Sequence, residues 1–321
     1  MKTRSGDFVQ AVEWEEETPS EGEPAFAVPF EIGSKREVPD LPMPPAQAQV
    51  ICIASGKGGT GKTTFTTNLA ISLRKEGLRV LIVDGDFGLA NDHLLLGLEP
   101  RGDIREVLRG QKEIREILLE GPEGVNLLPG GSGESHLSTL EDFEIRRLAR
   151  EIGFLEPDYD LILVDLAAGI SPQILRFLKP AHEVLLVTNP EVTALLDAYG
   201  LVKCLAGVSP KSPREVHVVQ NRVKTREEAV GSMKKLRRVA EKNLSNLSLH
   251  FLGYIPFDRY LLHSISIQEP VVVSHPRSFV TACLTGIAQK VKHRHRSWEK
   301  NQRGESPEPS YFARLEQQSY E

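Results

Sequence analysis

Residues 50–68 of the 321-residue chain read VICIASGKGGTGKTTFTTN, and this stretch decides the fold. An apolar, β-branched run leads into a glycine-rich loop, and the loop leads into a helix-forming segment. The loop matches the phosphate-binding pattern G-x-x-x-x-G-K-[ST] through Gly56, Gly61, Lys62 and Thr63. Strand, loop, lysine, hydroxyl and helix occur in the order that this motif requires. A glycine-rich turn without a ligand is therefore the disfavoured alternative.

The residue types of the loop predict how it holds the phosphates of a nucleotide. Glycine permits positive φ and close approach, so successive backbone N–H groups can point at phosphate oxygens beside a helix N-terminus. Lys62 is expected to reach the β- and γ-phosphates, and the Thr63 hydroxyl to bind Mg²⁺, which prefers oxygen ligands. The predicted nucleotide-binding residues of the loop are Gly56, Lys57, Gly58, Gly59, Thr60, Gly61, Lys62, Thr63 and Thr64.

Apolar runs along the rest of the chain predict the sheet. Residues 161–164 and 184–187 lack polar alternation, which indicates strands buried on both faces and hence a parallel sheet covered by helices. Such strands alternate with helix-forming segments as far as a long helix over residues 275–293. The predicted fold is a doubly wound α/β domain with a mostly parallel sheet flanked by helices.

Composition divides the chain into three regions. Residues 1–47 carry ten acidic and four basic side chains and seven prolines, which predicts a disordered acidic leader that acts as a linker or, less favourably, carries short docking segments. Residues 48–296 are predicted to form the nucleotide-binding domain and residues 297–321 a flexible tail. The three cysteines stand far apart, which argues against a disulfide framework and against a cysteine-bound metal site. A cytoplasmic protein is expected.

Carboxylates follow two of the predicted strands. Asp84 and Asp86 come directly after the second strand, and Asp165 ends the run Leu-Ile-Leu-Val-Asp. Carboxylates at the C-terminal ends of parallel strands face the crevice where such sheets bind ligands. We assign Asp84 and Asp165, with Thr63, to the magnesium site, and Asp86 to orienting the attacking water. The alternative for Asp84-Gly-Asp86 is an ordinary strand exit or turn.

Lys57 gives the first family resemblance. Its spacing, K-G-G-x-G-K-[ST]-T, resembles the deviant Walker A motif of the MinD/ParA class of P-loop ATPases. In that class the early lysine crosses a dimer interface to the nucleotide of the partner, so the resemblance implies an ATP-bound homodimer and a catalytic role for Lys57 with Lys62. The alternative is a solvated surface charge, although the loop around it is already shaped for a polyanion.

Further motifs narrow the resemblance to the FlhG/FleN branch of that class. They are DGDFGLAN at 84–91, DLAAGIS at 165–171, NPEVTALLDAYGLVK at 189–203, QNRV at 220–223 and GYIPFD at 253–258. Members of this branch set flagellar number and placement. The resemblance implies that Asn221 reads the adenine ring and that the stretch from Pro256 to Asp258 lines it. From the residues alone, Asn221 could equally be a turn residue.

The function expected from the resemblance is an ATP-hydrolysing, ATP-dependent dimerisation switch, slow and stimulated by a partner, that controls the number or placement of a cell-surface machine. The alternative is a ParA-type partition ATPase that binds DNA non-specifically through basic patches. A third explanation for such patches is solvated cations near a helix end. An iron–sulfur reductase is disfavoured because this sequence lacks the cysteine pattern that would bind the cluster. A tyrosine kinase is disfavoured because it would need a tyrosine-rich tail. The basic residues concerned are Lys234, Lys235, Arg237, Arg238, Lys290, Lys292, His293, Arg294, His295 and Arg296.

The C-terminal residues bear on membrane binding, because MinD and many FlhG proteins end in a membrane-targeting helix. Residues 310–321 contain few apolar groups and nearby acids, so firm insertion into an anionic membrane is not expected. We expect weak or no direct membrane binding, with recruitment to the inner membrane face or a cell pole through a protein partner. A D-Q-A-x-x-L-R type segment, which activates a partner GTPase in some flagellar members, is missing from the sequence.

Overall fold

The computed structural model describes residues 48–131, 140–208, 215–304 and 310–318, so the predicted leader at 1–47 lies outside the described residues. The strands are β1 (Gln49–Ala54), β2 (Val80–Gly85), β3 (Leu119–Glu120), β4 (Asn126–Leu128), β5 (Leu161–Leu166), β6 (Glu183–Thr188), β7 (Glu215–Val223) and β8 (Ser248–Pro256). The α-helices are α1 (Lys62–Lys75), α2 (Asp92–Leu95), α3 (Ile104–Leu108), α4 (Asp142–Gly153), α5 (Pro172–Leu178), α6 (Val192–Val208), α7 (Arg226–Asn243), α8 (Arg259–Ser266), α9 (Val271–Ser274), α10 (Phe279–Gln302) and α11 (Tyr311–Glu316).

The strands form one sheet in the order β3-β4-β2-β5-β1-β6-β7-β8. All neighbouring strands are parallel except β3 and β4, which are antiparallel. The first strand of the chain is therefore in the interior of the sheet, between β5 and β6. These features confirm the predicted doubly wound, mostly parallel α/β fold.

Helices cover both faces of the sheet because side chains of successive strand residues point to opposite faces. On one face, Ile51 and Ile53 of β1 share a core with apolar residues of α1, α9 and α10. On the other face, Val50 and Cys52 share a core with residues of α3, α4, α5, α6, α7 and α11. This two-sided burial explains why the strands read as continuous apolar runs.

The connection from β1 to α1 carries the glycine-rich loop. Gly61, directly before α1, has φ of 88°, a left-handed conformation that favours glycine. The backbone can therefore turn sharply from the end of β1 into α1. The loop is held at the N-terminus of α1, where backbone N–H groups have no partners within the helix.

The C-terminal residues differ from the predicted flexible tail at 297–321. Helix α10 continues to Gln302, and α11 packs against α4. Tyr311, Phe312 and Leu315 are each at most 1% exposed, and the Tyr311 hydroxyl donates a 2.9 Å hydrogen bond to the carbonyl oxygen of Phe177. The apolar face of α11 is small, but its buried side chains form part of the hydrophobic core on one face of the sheet. No helix in the described ranges combines the length and the apolar character that crossing a membrane requires.

Candidate functional site

The predicted site residues meet at the carboxyl ends of β1, β2 and β5. The glycine-rich loop follows β1, while Asp84 lies in β2 and Asp165 in β5. Because β2 and β5 are parallel neighbours, Asp84 and Asp165 are register partners at this edge. The topology thus brings the two predicted metal-binding carboxylates beside the loop that is predicted to hold the phosphates.

Two positions of the loop require glycine because neighbouring atoms lie too close to leave room for a side chain. A Cβ atom on Gly56 would lie 2.2 Å from the carbonyl carbon of Asp197 in α6. A Cβ atom on Gly61 would lie 2.2 Å from Nδ2 of Asn221, and the φ of Gly61 is positive as well. Gly59 also has positive φ, 76°. The loop is therefore a tightly supported structure in which larger side chains would displace neighbouring backbone or Asn221.

Lys62, the loop lysine, is folded onto Asp165. Its Nζ atom donates a 2.6 Å hydrogen bond to Oδ2 of Asp165, and the Thr63 hydroxyl donates to the same oxygen at 2.8 Å. The Thr66 hydroxyl donates to Oδ1. Burial alone would lower the pKa of Lys62, but the charge and hydrogen bond of Asp165 raise it above its usual value. Lysine, hydroxyl and carboxylate therefore form one buried cluster.

Asp84 and Asp86 have different surroundings. The Asp84 carboxylate is buried and accepts hydrogen bonds from the amides of Asp86, at 3.1 Å, and Asp92, at 3.2 Å. Burial and the neighbouring charge of Asp165 raise the pKa of Asp84 to about 7. Asp86 is half-buried, and its Oδ1 accepts from the amide of Leu89 at 3.1 Å. Asp84 thus faces the site, whereas the Asp86 carboxylate is held by the turn that follows.

Asp92, the first residue of α2, is a member of this cluster that sequence reasoning missed. It is fully buried, and neither of its carboxylate oxygens has a hydrogen-bond partner. Burial, followed by the charges of Asp165 and Asp84, raises the pKa of Asp92 well above its usual range. In the sequence, an aspartate before an apolar run reads as an ordinary acid in the first turn of a helix. Only the fold shows that it is enclosed among the other acids.

The oxygen atoms of this cluster suit magnesium. Thr63, Asp84 and Asp165 offer hydroxyl and carboxylate oxygens, the ligand type that Mg²⁺ prefers. Asp92 adds a buried, unpartnered carboxyl group whose charged form a cation would stabilise. Among the described residues, no three histidine, cysteine or acidic side chains converge closely enough to hold one metal ion. Magnesium at this site would therefore keep several of its waters, as it commonly does.

A small pocket lies beside Asn221. Asn221 is buried, and its Nδ2 atom donates a 2.7 Å hydrogen bond to the carbonyl oxygen of Thr60 in the loop. Pro256 and Asp258 do not line the pocket. The Asp258 carboxylate instead caps α8 by accepting from the amide of Tyr260 at 2.7 Å. The residues that line the pocket are Gly61, Thr64, Phe65, Asn221, Ile255, Leu261 and Leu284.

Lys57 lies away from the Lys62 cluster. Its Nζ atom is 3.0 Å from the Thr193 hydroxyl and 3.4 Å from a carboxylate oxygen of Glu191, both beside the start of α6. The side chains of Lys57 and Glu191 are 41% and 61% exposed, so this pair is a weak surface contact. The two lysines of one loop therefore have separate partners.

Most basic residues of α10 are engaged within the chain. Lys290 donates a hydrogen bond to the carbonyl oxygen of Leu252 at 2.6 Å, and Lys292 lies 3.0 Å from a carboxylate oxygen of Glu76. His295 is buried. On α7, the cations Lys234, Lys235 and Arg238 of the predicted basic patch are exposed. The basic residues of α10 therefore mainly bind other groups of the same chain. This differs from both explanations given above, DNA binding and cations exposed to solvent. Arg294 pairs with Glu183, and Arg237 donates to the carbonyl oxygen of Leu249.

Comparisons with known proteins agree with this geometry. The profile of the CobQ/CobB/MinD/ParA nucleotide binding domain matches residues 51–271. The chain is 35% identical to the antiactivator FleN of Pseudomonas aeruginosa over 76% of this chain and 86% of that protein. It is 36% identical to the flagellum site-determining protein YlxH of Helicobacter pylori over 64% of this chain and 68% of that protein.

Solved structures of MinD proteins have a similar fold. A cell division protein complex of MinC and MinD from Aquifex aeolicus contains a chain that is 29% identical, with a TM-score of 0.63, covering 77% of this chain and 96% of that one. The septum site-determining protein MinD of Pyrococcus horikoshii, solved with Mg-ADP, has a TM-score of 0.60 and 29% identity, over 76% of this chain and 96% of that one.

Proposed function

Since the chain belongs to the MinD/ParA family of nucleotide-binding proteins, whose domain matches residues 51–271, we propose that it is an ATP-dependent dimerisation switch. ATP joins two copies, and slow hydrolysis to ADP and phosphate, stimulated by a partner, separates them. The observation that carries this proposal is the separation of the two loop lysines. Lys62 lies at Asp165, whereas Lys57 lies at the edge of α6 and is free to reach beyond its own nucleotide.

Each residue has a proposed role in the reaction. The loop amides and Lys62 hold the phosphates, and Lys57 approaches the nucleotide of the second copy. Asp86 orients the attacking water, with its Oδ1 atom anchored by the amide of Leu89. Thr63, Asp84 and Asp165 would hold Mg²⁺, which would supply positive charge beside the phosphate oxygens. Asn221, which is buried beside the loop, reads the adenine ring.

The output that we propose is control of the number or placement of a surface machine, with the flagellum as the first candidate. This proposal is supported by the similarity to FleN and to the flagellum site-determining YlxH. The protein would act in the cytoplasm, with recruitment to the membrane or a pole by a protein partner. The partition-type alternative has less support, because three basic residues of α10, Lys290, Lys292 and Arg294, bind groups of the same chain.

Two measurements on Asp86→Ala test the proposal. Light scattering should give a monomer without nucleotide or with ADP and a dimer with ATP, since the variant binds ATP without turnover. One mass in every nucleotide state would remove the switch mechanism. Affinity purification of the ATP-trapped variant from its own cells then identifies the partner. Basal-body or export proteins would support the flagellar output, whereas nucleoid material or centromere-binding proteins would support the partition alternative.

A further inference from the structure

We propose that Asp92 is an additional member of the magnesium site, acting on the ion through a metal-bound water. The inference deepens the proposed function, because it concerns the same nucleotide site. It also distinguishes this chain's site from one built of Thr63, Asp84 and Asp165 alone. The argument depends on burial, on missing hydrogen-bond partners and on the charge balance of the site.

Asp92 is enclosed without a partner. Its exposed fraction is 0%, and both carboxylate oxygens are buried and lack hydrogen-bond donors. Burying an ionised group without compensation is strongly unfavourable. The neighbouring acid, Asp84, differs in this respect, because its two oxygens each accept a backbone amide. One of those amides belongs to Asp92, which fixes the α2 terminus beside the Asp84 carboxylate.

The acids of this site outnumber the cation beside them. Asp84, Asp92 and Asp165 are each at most 2% exposed, and among the described residues Lys62 interacts with all three. Burial raises the pKa of Asp84 and of Asp92, so protons supply part of the compensation without a metal, whereas ionising all three acids beside one ammonium group would leave two negative charges. A divalent cation would balance them. Binding of a nucleotide sharpens the need for a cation, because Lys62 is expected to turn from Asp165 towards the phosphates.

Action through water follows from the spacing of the acids. No three acidic, histidine or cysteine side chains of the described ranges are placed to ligate one ion together. Mg²⁺ dehydrates reluctantly, so its remaining waters need acceptors around the ion. A buried carboxylate with two vacant acceptor oxygens provides such an acceptor. Outer groups of this kind orient metal ligands, and removing them typically lowers metal affinity about 10-fold to 100-fold.

The competing explanation is that Asp92 serves only through its backbone, as the amide that binds Asp84. In that case its carboxylate is simply an energetic cost to the fold. Substitution by asparagine or leucine separates the two explanations, because both residues keep the amide and remove the negative charge. Asparagine preserves the shape, and leucine suits a fully buried position, so at least one variant should fold normally.

The experiment measures how strongly Mg²⁺ and ADP bind together. The dissociation constant of a fluorescent ADP analogue is determined in excess Mg²⁺ and again in excess EDTA. The EDTA value divided by the Mg²⁺ value reports the coupling between Mg²⁺ and ADP. We expect D92N and D92L to reduce this ratio about 10-fold or more while changing the EDTA value much less. The matched control is Asp158→Asn, which removes one aspartate charge from an exposed ion pair with Arg115.

A ratio in both variants equal to that of the wild type and D158N would overturn the inference. Failure of the wild type to bind ADP in either condition would instead overturn the proposed function, so the two failures are distinguishable. Urea unfolding without Mg²⁺ supplies a second readout. D92L should be at least as stable as the wild type, and Mg²⁺ alone should stabilise the wild type more than D92L. Equal stabilisation of both proteins by Mg²⁺ would count against Asp92.

Discussion

Lys62 of the glycine-rich loop donates a 2.6 Å hydrogen bond to Asp165 at the end of β5, and both side chains are almost completely buried. The lysine that is expected to bind phosphate thus neutralises the carboxylate that is expected to serve the metal. Nucleotide and Mg²⁺ would replace this ion pair with two new ones. The pair therefore holds the two groups that are expected to bind phosphate and metal next to each other.

Replacing Lys62 by alanine should abolish ATP binding, because the triphosphate loses its main cation within the chain. The substitution also leaves Asp165 buried without its partner, and truncating one member of a buried ion pair costs about 3–5 kcal/mol. Equilibrium dialysis with Mg-ATP measures the affinity, and circular dichroism confirms that the variant is folded. Lys242→Ala, at an exposed site on α7, is the control. Unchanged affinity in Lys62→Ala would contradict the assignment of the loop.

Lys57→Ala should retain ATP binding but lose ATP-dependent dimerisation and stimulated hydrolysis. Within the described ranges, the Lys57 ammonium contacts Glu191 and Thr193 on the surface, so truncating the side chain should change the unfolding free energy by less than about 1 kcal/mol. Light scattering with ATP and a phosphate-release assay provide the readouts, again with Lys242→Ala as control. A variant that dimerises and turns over normally would make Lys57 an ordinary surface charge.

The raised pKa of Asp84 predicts a pH dependence of stability. Between its ordinary value of 3.8 and about 7, the folded protein holds a proton that the unfolded chain has lost. The unfolding free energy of the metal-free protein should therefore fall as pH rises through this window, by up to about 1.4 kcal/mol per pH unit from this group. Urea unfolding in EDTA at a series of pH values measures the slope. Asp84→Asn should reduce the slope, leaving the contribution of Asp92, whose pKa is also raised, whereas Asp158→Asn should leave the slope unchanged. If the unfolding free energy varied with pH equally in all three proteins, the assignment of this pH dependence to Asp84 would be wrong.

The packing of α11 predicts that its apolar residues stabilise the domain. Leu315→Ala should lower the unfolding free energy by about 2–5 kcal/mol, since the side chain is fully buried. Gln317→Ala, on the exposed side of the same C-terminal segment, should change it by less than about 0.5 kcal/mol. Urea unfolding of the full chain distinguishes the two. Equal, small effects would mean that α11 is not packed as described.

The same burial predicts poor binding to anionic liposomes. Tyr311, Phe312 and Leu315 are occupied in the core and offer no apolar area for insertion. Sedimentation at physiological salt, with and without ATP, should leave most of the protein in the supernatant. ATP-dependent sedimentation that resists raised salt, and that Phe312→Ala weakens, would show that α11 leaves the domain to bind lipid.

The loop and the sheet were predictable because each depends on a local signal. Lys62 and Thr63 follow β1 through the glycine-rich loop, and Asp165 lies near the end of the neighbouring strand β5. Motif positions and a parallel sheet are therefore enough to bring them together. Their proposed roles in binding and hydrolysis remain predictions. The adenine-reading role of Asn221 was expected only from the family resemblance and remains a prediction. The structure adds a contact that was not expected, a hydrogen bond from Asn221 to the carbonyl oxygen of Thr60 in the loop.

Other features were not predictable because they depend on long-range packing. Asp92 looks like an exposed helical acid until the fold encloses it. The α11 segment looks too polar to pack, but the three buried side chains at 311, 312 and 315 fall on one face of a short helix. The basic end of α10 looks like a binding patch because sequence shows cations together, not the acids and carbonyl groups that they contact, such as Glu76 and Leu252.

The position of α11 also constrains the order of folding. The Sγ atom of Cys52 in β1 lies 3.6 Å from the Tyr311 hydroxyl, although the two residues are 259 positions apart in the chain. During synthesis, β1 leaves the ribosome early, whereas α11, which packs on it, is made almost at the end of the chain. Contacts of such large sequence separation slow folding and leave apolar surface uncovered meanwhile. A nascent chain that stalls before residue 311 would therefore present an incomplete core to chaperones and proteases.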